Sequence, residues 1–136
     1  MKKLFVSIFA VLLLAACQKE NSTTKTDIRT DFIGSWKCAQ TSKVIAATQF
    51  TVTITKDTAN DARIKLWNFT KLGDNYNVYA NVSTVAASAL DIPVQTVKSN
   101  VIKGSGTEIS TSKINFTYTI DDGNAIDTLT AVFTKL

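Results

Sequence analysis

An all-β fold is what this sequence predicts: an antiparallel meander closing into a small barrel of about eight strands. Three observations carry that expectation. From Phe32 onward apolar residues alternate with polar ones at a period of two, and threonine dominates the polar positions, as in strands half-buried against a core. Turn residues recur roughly every 10 to 13 positions, the spacing of consecutive hairpins. No segment carries a sustained helical period. A sandwich and a barrel both fit this spacing, and the barrel is preferred because a hairpin meander closes on itself and leaves no exposed strand edge.

The elements follow in order. Phe32-Ile33-Gly34-Ser35-Trp36 opens the first strand, and Cys38 continues its apolar alternation. Phe50, Val52 and Ile54 alternate with Thr51, Thr53 and Thr55 in the second, and Lys56 to Asp61 supplies a turn. In Arg63 to Phe69, Ile64 and Leu66 take one face while Trp67 and Phe69 take the other, so the strand either bulges or presents aromatics outward. Leu72-Gly73-Asp74-Asn75 turns the chain into Tyr76, Val78, Ala80 and Val82, with Tyr79 on the opposite face. Val85 to Leu90 is alanine-rich and long enough for one helical turn before Pro93. Pro93 suits a strand start or an edge, where no ladder hydrogen bond is lost. Gly104 and Gly106 suit a bulge or a close strand crossing. Ile114, Phe116, Tyr118 and Ile120 alternate with polar residues, Asp122-Gly123 closes a hairpin, and Leu129, Ala131 and Phe133 complete the last strand.

The first 31 residues have a different character. Lys2 and Lys3 precede an apolar run from Leu4 to Leu14, and small residues lead into Cys17. That order is a secretion signal, too short to span a bilayer, which needs about 20 apolar residues. Residues 1–16 are therefore expected to be removed. The polar stretch from Gln18 to Thr30 contains one apolar residue, Ile28, and reads as a flexible tether over 17–31 leading to a domain at 32–136. The formal charge of +4 falls to +2 when Lys2 and Lys3 leave with the signal, and the remaining lysines are scattered. Such a balance excludes a nucleic-acid partner from the expectations.

Leu14-Ala15-Ala16-Cys17 resembles the lipobox of bacterial lipoproteins, which implies cleavage before Cys17 and acylation of its thiol and new amine. Gln18-Lys19-Glu20 resembles in part the signal that sends Bacteroidetes lipoproteins to the cell surface. Gly34-Ser35-Trp36 is similar to the Gly-x-Trp that opens lipocalin barrels, where the tryptophan plugs the closed end and an arginine from near the last strand covers it. Here the only arginines are Arg29 and Arg63. Asp91 to Gln95, Gly104 to Thr107, Ile114 to Tyr118 and Thr130 to Lys135 resemble a small lipocalin-like lipoprotein domain of Bacteroidetes. Together these likenesses imply an outer-membrane lipoprotein, lipid-anchored and exposed at the cell surface, with largely unassigned function.

Residues suited to catalysis are scarce. The sequence holds no histidine, and its glutamates are Glu20 and Glu108. General acid–base work, hydrolytic triads and zinc sites lean on histidine or on converging carboxylates. Asp121-Asp122-Gly123-Asn124 lacks the spacing of a calcium loop, and Gly104-Ser105-Gly106 lacks the Lys-Ser/Thr of a phosphate loop. No enzyme, metal or cofactor is expected. With Cys17 lipidated, Cys38 has no partner in the chain, leaving it a buried thiol or a reactive one. Thr58, in Asp57-Thr58-Ala59, resembles the Bacteroidetes O-glycosylation acceptor.

Two functions remain from different classes. In one, the barrel binds a small apolar or amphipathic molecule or a glycan. Its cup is then lined by Phe50, Ile54, Phe116, Tyr118 and Phe133, with Trp67, Phe69 and Tyr79 as a second aromatic platform. In the other, the barrel is packed solid and its Trp67-Phe69-Tyr79 face docks a protein of the envelope. Free volume against the apolar face separates them.

Overall fold

The computed structural model describes residues 26–136. It is a closed barrel of eight antiparallel strands, each paired with its neighbours in the chain and β1 with β8. The strands are β1 (Gly34–Ser42), β2 (Thr48–Lys56), β3 (Arg63–Trp67), β4 (Asn77–Val82), β5 (Ala89–Val97), β6 (Asn100–Ser110), β7 (Lys113–Asp121) and β8 (Ile126–Lys135). Closure runs from Trp36↔Lys135 to Ser42↔Leu129, so every strand has two partners. Short 3-10 turns precede β1 (Thr30–Phe32) and join β3 to β4 (Phe69–Lys71).

The alternation decides which side chains go inside. Trp36, Cys38, Val52, Ile54, Ile64, Leu66, Val78, Ala80, Ile102, Ile114, Phe116, Tyr118, Leu129 and Phe133 point inward and are buried. The threonines between them stay on the outside, where Thr51, Thr53, Thr117 and Thr130 are exposed. Side chains therefore fill the barrel, as eight-stranded barrels of this size allow.

At one end Trp36 is fully buried under Phe32, and its Nε1–H donates to the Phe32 carbonyl at 2.8 Å. Lys135, on the last strand, places its ammonium 5.2 Å from the Trp36 ring centroid and donates to the Asp31 carbonyl at 2.8 Å. A lysine thus stands where the lipocalin likeness called for an arginine. The opposite end, the mouth, is ringed by the loops at 43–47, 68–76, 98–99 and 122–125.

Several expectations are corrected. Residues 27–31, read as tether, are folded onto the barrel. Arg29 is buried, grips the Asp27 carboxylate at 2.8 and 2.9 Å, and donates to the carbonyls of Asp57 (2.9 Å) and Asn60 (2.8 Å). Lys56 adds an ion pair to Asp27 at 2.9 Å. Polarity suggested chain freedom, but these groups satisfy one another and the loop backbone. The alanine-rich segment forms bends and turns rather than a helical turn, and β5 begins at Ala89.

Pro93 lies within β5, at a register shift between Ile92 and Gln95. In a closed barrel no edge exists to hold it, and a bulge is the other place that tolerates a missing N–H. The β4–β5 ladder is correspondingly brief, pairing Asn81↔Asp91 and Val82↔Leu90. Beyond it the Gln95 side-chain amide replaces a peptide unit: Oε1 accepts from the Tyr79 N–H at 3.0 Å and Nε2 donates to the Tyr79 carbonyl at 2.8 Å.

Gly104 and Gly106 sit in regular ladder beside β7. A Cβ at Gly104 would lie 2.4 Å from the Tyr118 Cβ and 2.5 Å from the Thr117 carbonyl oxygen. One at Gly106 would lie 2.5 Å from the Phe116 ring. The close-approach reading holds for both, and Gly104 also flanks the β5 bulge, as the partner of Ile92 where the register shifts.

Candidate functional site

The mouth gathers the aromatic candidates, by a route the alternation conceals. β3 stops at Trp67, and Asn68 turns the chain with a left-handed backbone, φ 60°. Phe69 consequently enters the barrel instead of joining Trp67 on the outer face, and it is fully buried. Its ring centroid lies 4.6 Å from that of Tyr118, 5.9 Å from Phe116 and 6.2 Å from Phe133, in tilted and edge-on arrangements. Phe116 and Phe133 close the cluster at 4.7 Å. Such offset aromatic pairs are worth about 0.5–1.5 kcal/mol each beyond their buried area.

The expected cup is therefore occupied. Ile54, Phe116, Tyr118 and Phe133 are each 0–2% exposed, so side chains fill the space they face, and Phe50 is half-buried at the mouth. The Trp67-Phe69-Tyr79 face does not exist as one surface. Trp67 is half-buried outside and donates from Nε1 to the Thr55 hydroxyl at 2.9 Å. Tyr79 is half-buried outside with the Arg63 guanidinium 4.8 Å above its ring.

Polar groups are built into the mouth among these rings. The Tyr118 hydroxyl donates to Gln40 Oε1 at 2.6 Å, and both residues are buried. Burial pushes the Tyr118 phenol well above its usual range, so it acts as a neutral donor. Thr48 pairs with Gln40 in the β1–β2 register, and its buried hydroxyl has no hydrogen-bond partner among the described residues. Ser42 donates to Asp127 at 2.6 Å on the rim. A surface groove of about 660 Å³ lies beside that pair, between the exposed side chains of Val44 and Ile126.

Charge is concentrated at the other end. Asp57 is buried, accepts from the Ala59 N–H at 3.0 Å, and pairs with Arg63 and with Lys65 at 3.7 Å. The backbone N–H and these cations hold its carboxyl below the usual carboxylate range. Hydrogen bonds from Arg29 and Lys56 hold Asp27 lower still. Glu108 moves the other way, raised mainly by burial, with Asp31 adding and Lys135 opposing. Cys38 is buried in the core and its thiol is pushed up to about 12 by desolvation, the unreactive form of the two readings. Thr58 is exposed in the β2–β3 loop. Cys17 lies outside the described residues. Among those residues, no three His, Cys, Asp or Glu side chains come together as a metal site would require, and no helix is long and apolar enough to cross a membrane.

Sequence reasoning missed Arg29, Gln40 and Gln95, and it left the inward turn of Phe69 as one of two alternatives. The short charge pattern Asp27-x-Arg29 was a signal for the first. The others depend on which strands become neighbours.

No family model matches the chain, and no curated protein does. Solved structures do. One is a redesigned beta barrel, 16% identical, with a TM-score of 0.59 over 81% of this chain and 96% of that one. Another is EF1p2_mFAP2b bound to DFHBI, 14% identical, with a TM-score of 0.59 over 81% of this chain and 98% of that one. The likeness shows the fold alone, a small β-barrel.

Proposed function

We propose that this protein is a non-enzymatic, lipid-anchored lipoprotein of the bacterial outer membrane, of the Bacteroidetes lipocalin-like kind, whose barrel mouth binds a small apolar or amphipathic molecule. The observation that carries the binding reading is the mouth itself. There an aromatic cluster surrounds a side chain supplied by a loop rather than a strand, and across from Gln40 lies the Thr48 hydroxyl, unpaired among the described residues. Structural likeness adds that a barrel of this fold is known bound to DFHBI.

The anchor rests on Leu14-Ala15-Ala16-Cys17, and the arrangement of the domain suits it. Residues 27–33 pack at the Trp36 end, which supports attachment at that end and a mouth directed away from the membrane. Acyl chains supply the membrane affinity, about 0.8 kcal/mol per buried methylene, without help from charge. Replacement Cys17→Ala is expected to move the protein from the membrane to the soluble fraction. Retention in the membrane would overturn the lipoprotein reading.

A second reading is favoured by the packed interior: a docking module that works only through its outer surface. A thermal-shift screen separates the two, run against fatty acids, sterol-like and planar aromatic molecules, and envelope glycans. A ligand at 100 times its dissociation constant adds about 2.7 kcal/mol, roughly 10 °C in midpoint for a domain near this size. A shift of that size for one class supports the binding barrel. No shift across the panel leaves the docking module.

A further inference from the structure

The mouth is filled by the protein's own Phe69, and the way that ring is held differs from the rest of the core. Strand residues reach the interior by alternation, with regular extended backbone. Phe69 reaches it from a 3-10 turn flanked by Asn68 at φ 60°, Thr70 at φ 53° and Lys71 at φ 63°. Five non-glycine residues have positive φ among the described residues, and three of them are these. Left-handed backbone is unfavourable for residues with a Cβ, and such conformations persist only where surrounding contacts hold them. The ring in the barrel is one of the contacts that hold this loop, beside the buried Leu72 side chain and four backbone hydrogen bonds, Asn68 to Tyr76, Lys71 to Asn68, Leu72 to Phe69 and Tyr76 to Gly73. Asn68 Nδ2 donates to the Thr51 carbonyl at 2.9 Å, the Gly73 N–H donates to Asn68 Oδ1 at 3.0 Å, and Lys98 Nζ reaches the Leu72 carbonyl at 3.3 Å.

The part of the core around the ring combines aromatic and polar groups. Three aromatic rings surround it, Tyr118 among them hydrogen-bonds to Gln40, and across from Gln40 on β2 lies the Thr48 hydroxyl, unpaired among the described residues. An apolar core gains nothing from a buried hydroxyl left unpaired. A ligand with one hydrogen-bonding edge would satisfy it. The space that one phenyl ring vacates is of the size that takes up benzene in engineered cavities.

We infer that Phe69 is an exchangeable plug: its ring leaves the mouth and a planar aromatic ligand carrying one hydrogen-bonding edge takes its place among Phe116, Tyr118 and Phe133. This inference rests on the mouth-binding reading above and names the ligand class and the gate. Binding then carries the cost of displacing the ring, so the observed affinity is the intrinsic affinity reduced by the fraction of open mouth. Release of the left-handed turn offsets part of that cost.

Indole is the probe, an aromatic plane with a single N–H. The full chain is held in lipid nanodiscs, with empty nanodiscs as the blank for partitioning. Two quantities are read: indole affinity by calorimetry, and hydrogen exchange of the loop amides. The Lys71 N–H bonds the Asn68 carbonyl at 3.1 Å and the Leu72 N–H bonds the Phe69 carbonyl at 3.2 Å, so both report the turn directly. Indole is expected to bind the natural protein and to lower the protection of these two amides. Phe69→Ala is expected to bind indole at least tenfold more tightly. Should Phe69→Ala not fold, Phe69→Leu leaves a smaller gap and is expected to gain roughly threefold.

Binding with unchanged or increased loop protection overturns the plug, as does an affinity that neither variant improves. Binding by Phe69→Ala alone, with none by the natural protein at millimolar indole, makes Phe69 a fixed core residue and also overturns it. If indole fails everywhere while another class in the thermal-shift screen succeeds, the plug falls and the mouth-binding reading stands. If both fail, both fall.

Discussion

Two glycines in one strand have unequal freedom to be replaced. Gly104 faces backbone: an added Cβ meets the Thr117 carbonyl oxygen and the Cα and Cβ of Tyr118, none of which moves without shifting β7. Gly106 faces the Phe116 ring, which can tilt. Overpacking of this kind costs about 1–3 kcal/mol, and more where the backbone must yield. Gly104→Ala is expected to lose about 3 kcal/mol and Gly106→Ala about 1 kcal/mol in urea unfolding. Equal losses would show that β7 adjusts as readily as a ring. The sequence offered a bulge or a close approach for both glycines, yet it held no sign of which neighbour each would meet, because that depends on the β6–β7 register.

At the scale of elements, the weak seam is β4–β5, where the Pro93 bulge interrupts the ladder and the Gln95 amide spans the gap. Gln95→Leu removes both bonds to Tyr79 and leaves a half-buried backbone N–H and C=O unpaired. Leaving such a group unsatisfied costs about 1–3 kcal/mol. The expected result is a loss of about 2 kcal/mol and faster exchange of the Tyr79 amide, with β7–β8 amides slowed or accelerated only through global stability. Unchanged Tyr79 exchange would mean that the backbone closes the seam unaided. The charge cluster of Asp27, Arg29, Lys56, Asp57 and Arg63 supplies a pH dependence. The Asp57 and Asp27 carboxyls titrate below their unfolded values, so the unfolded chain binds more protons in acid. Their contribution is complete above about pH 5 and is lost as pH falls through the ordinary carboxylate range and below it. Asp57→Asn is expected to flatten the acid limb of stability against pH, measured by unfolding midpoints from pH 6 to pH 2. An unchanged slope would locate the acid sensitivity elsewhere.

For the whole molecule, closure is the organising fact. β1 and β8 come from opposite ends of the described chain and pair over seven positions, burying Cys38 opposite Phe133. Nothing local reaches that thiol, which is 1% exposed and held protonated at neutral pH. Its alkylation by N-ethylmaleimide is expected to require global unfolding, so the labelling rate in dilute urea should follow the global stability curve. Fast labelling in native buffer would show that β1–β8 opens by itself. The same closure makes the aromatic end an enclosed space, which is why a single loop residue can decide whether it is open.

Alternation and composition by themselves determined a good deal: an all-β meander, the inward faces of β1, β2, β7 and β8 and a chain without histidine, while Trp36 as an end plug was implied by the Gly34-Ser35-Trp36 likeness. These are local or compositional properties, written in steps of two residues. Only the tertiary structure decided that Phe69 turns inward, that Arg29 folds the supposed tether onto a loop, that Gln95 stands in for a peptide unit and that Lys135 covers Trp36. Each of these depends on which backbone lies beside which after the barrel closes. Side-chain periodicity carries no information about such long-range neighbours, or about a turn in which one left-handed residue reverses the face of the next.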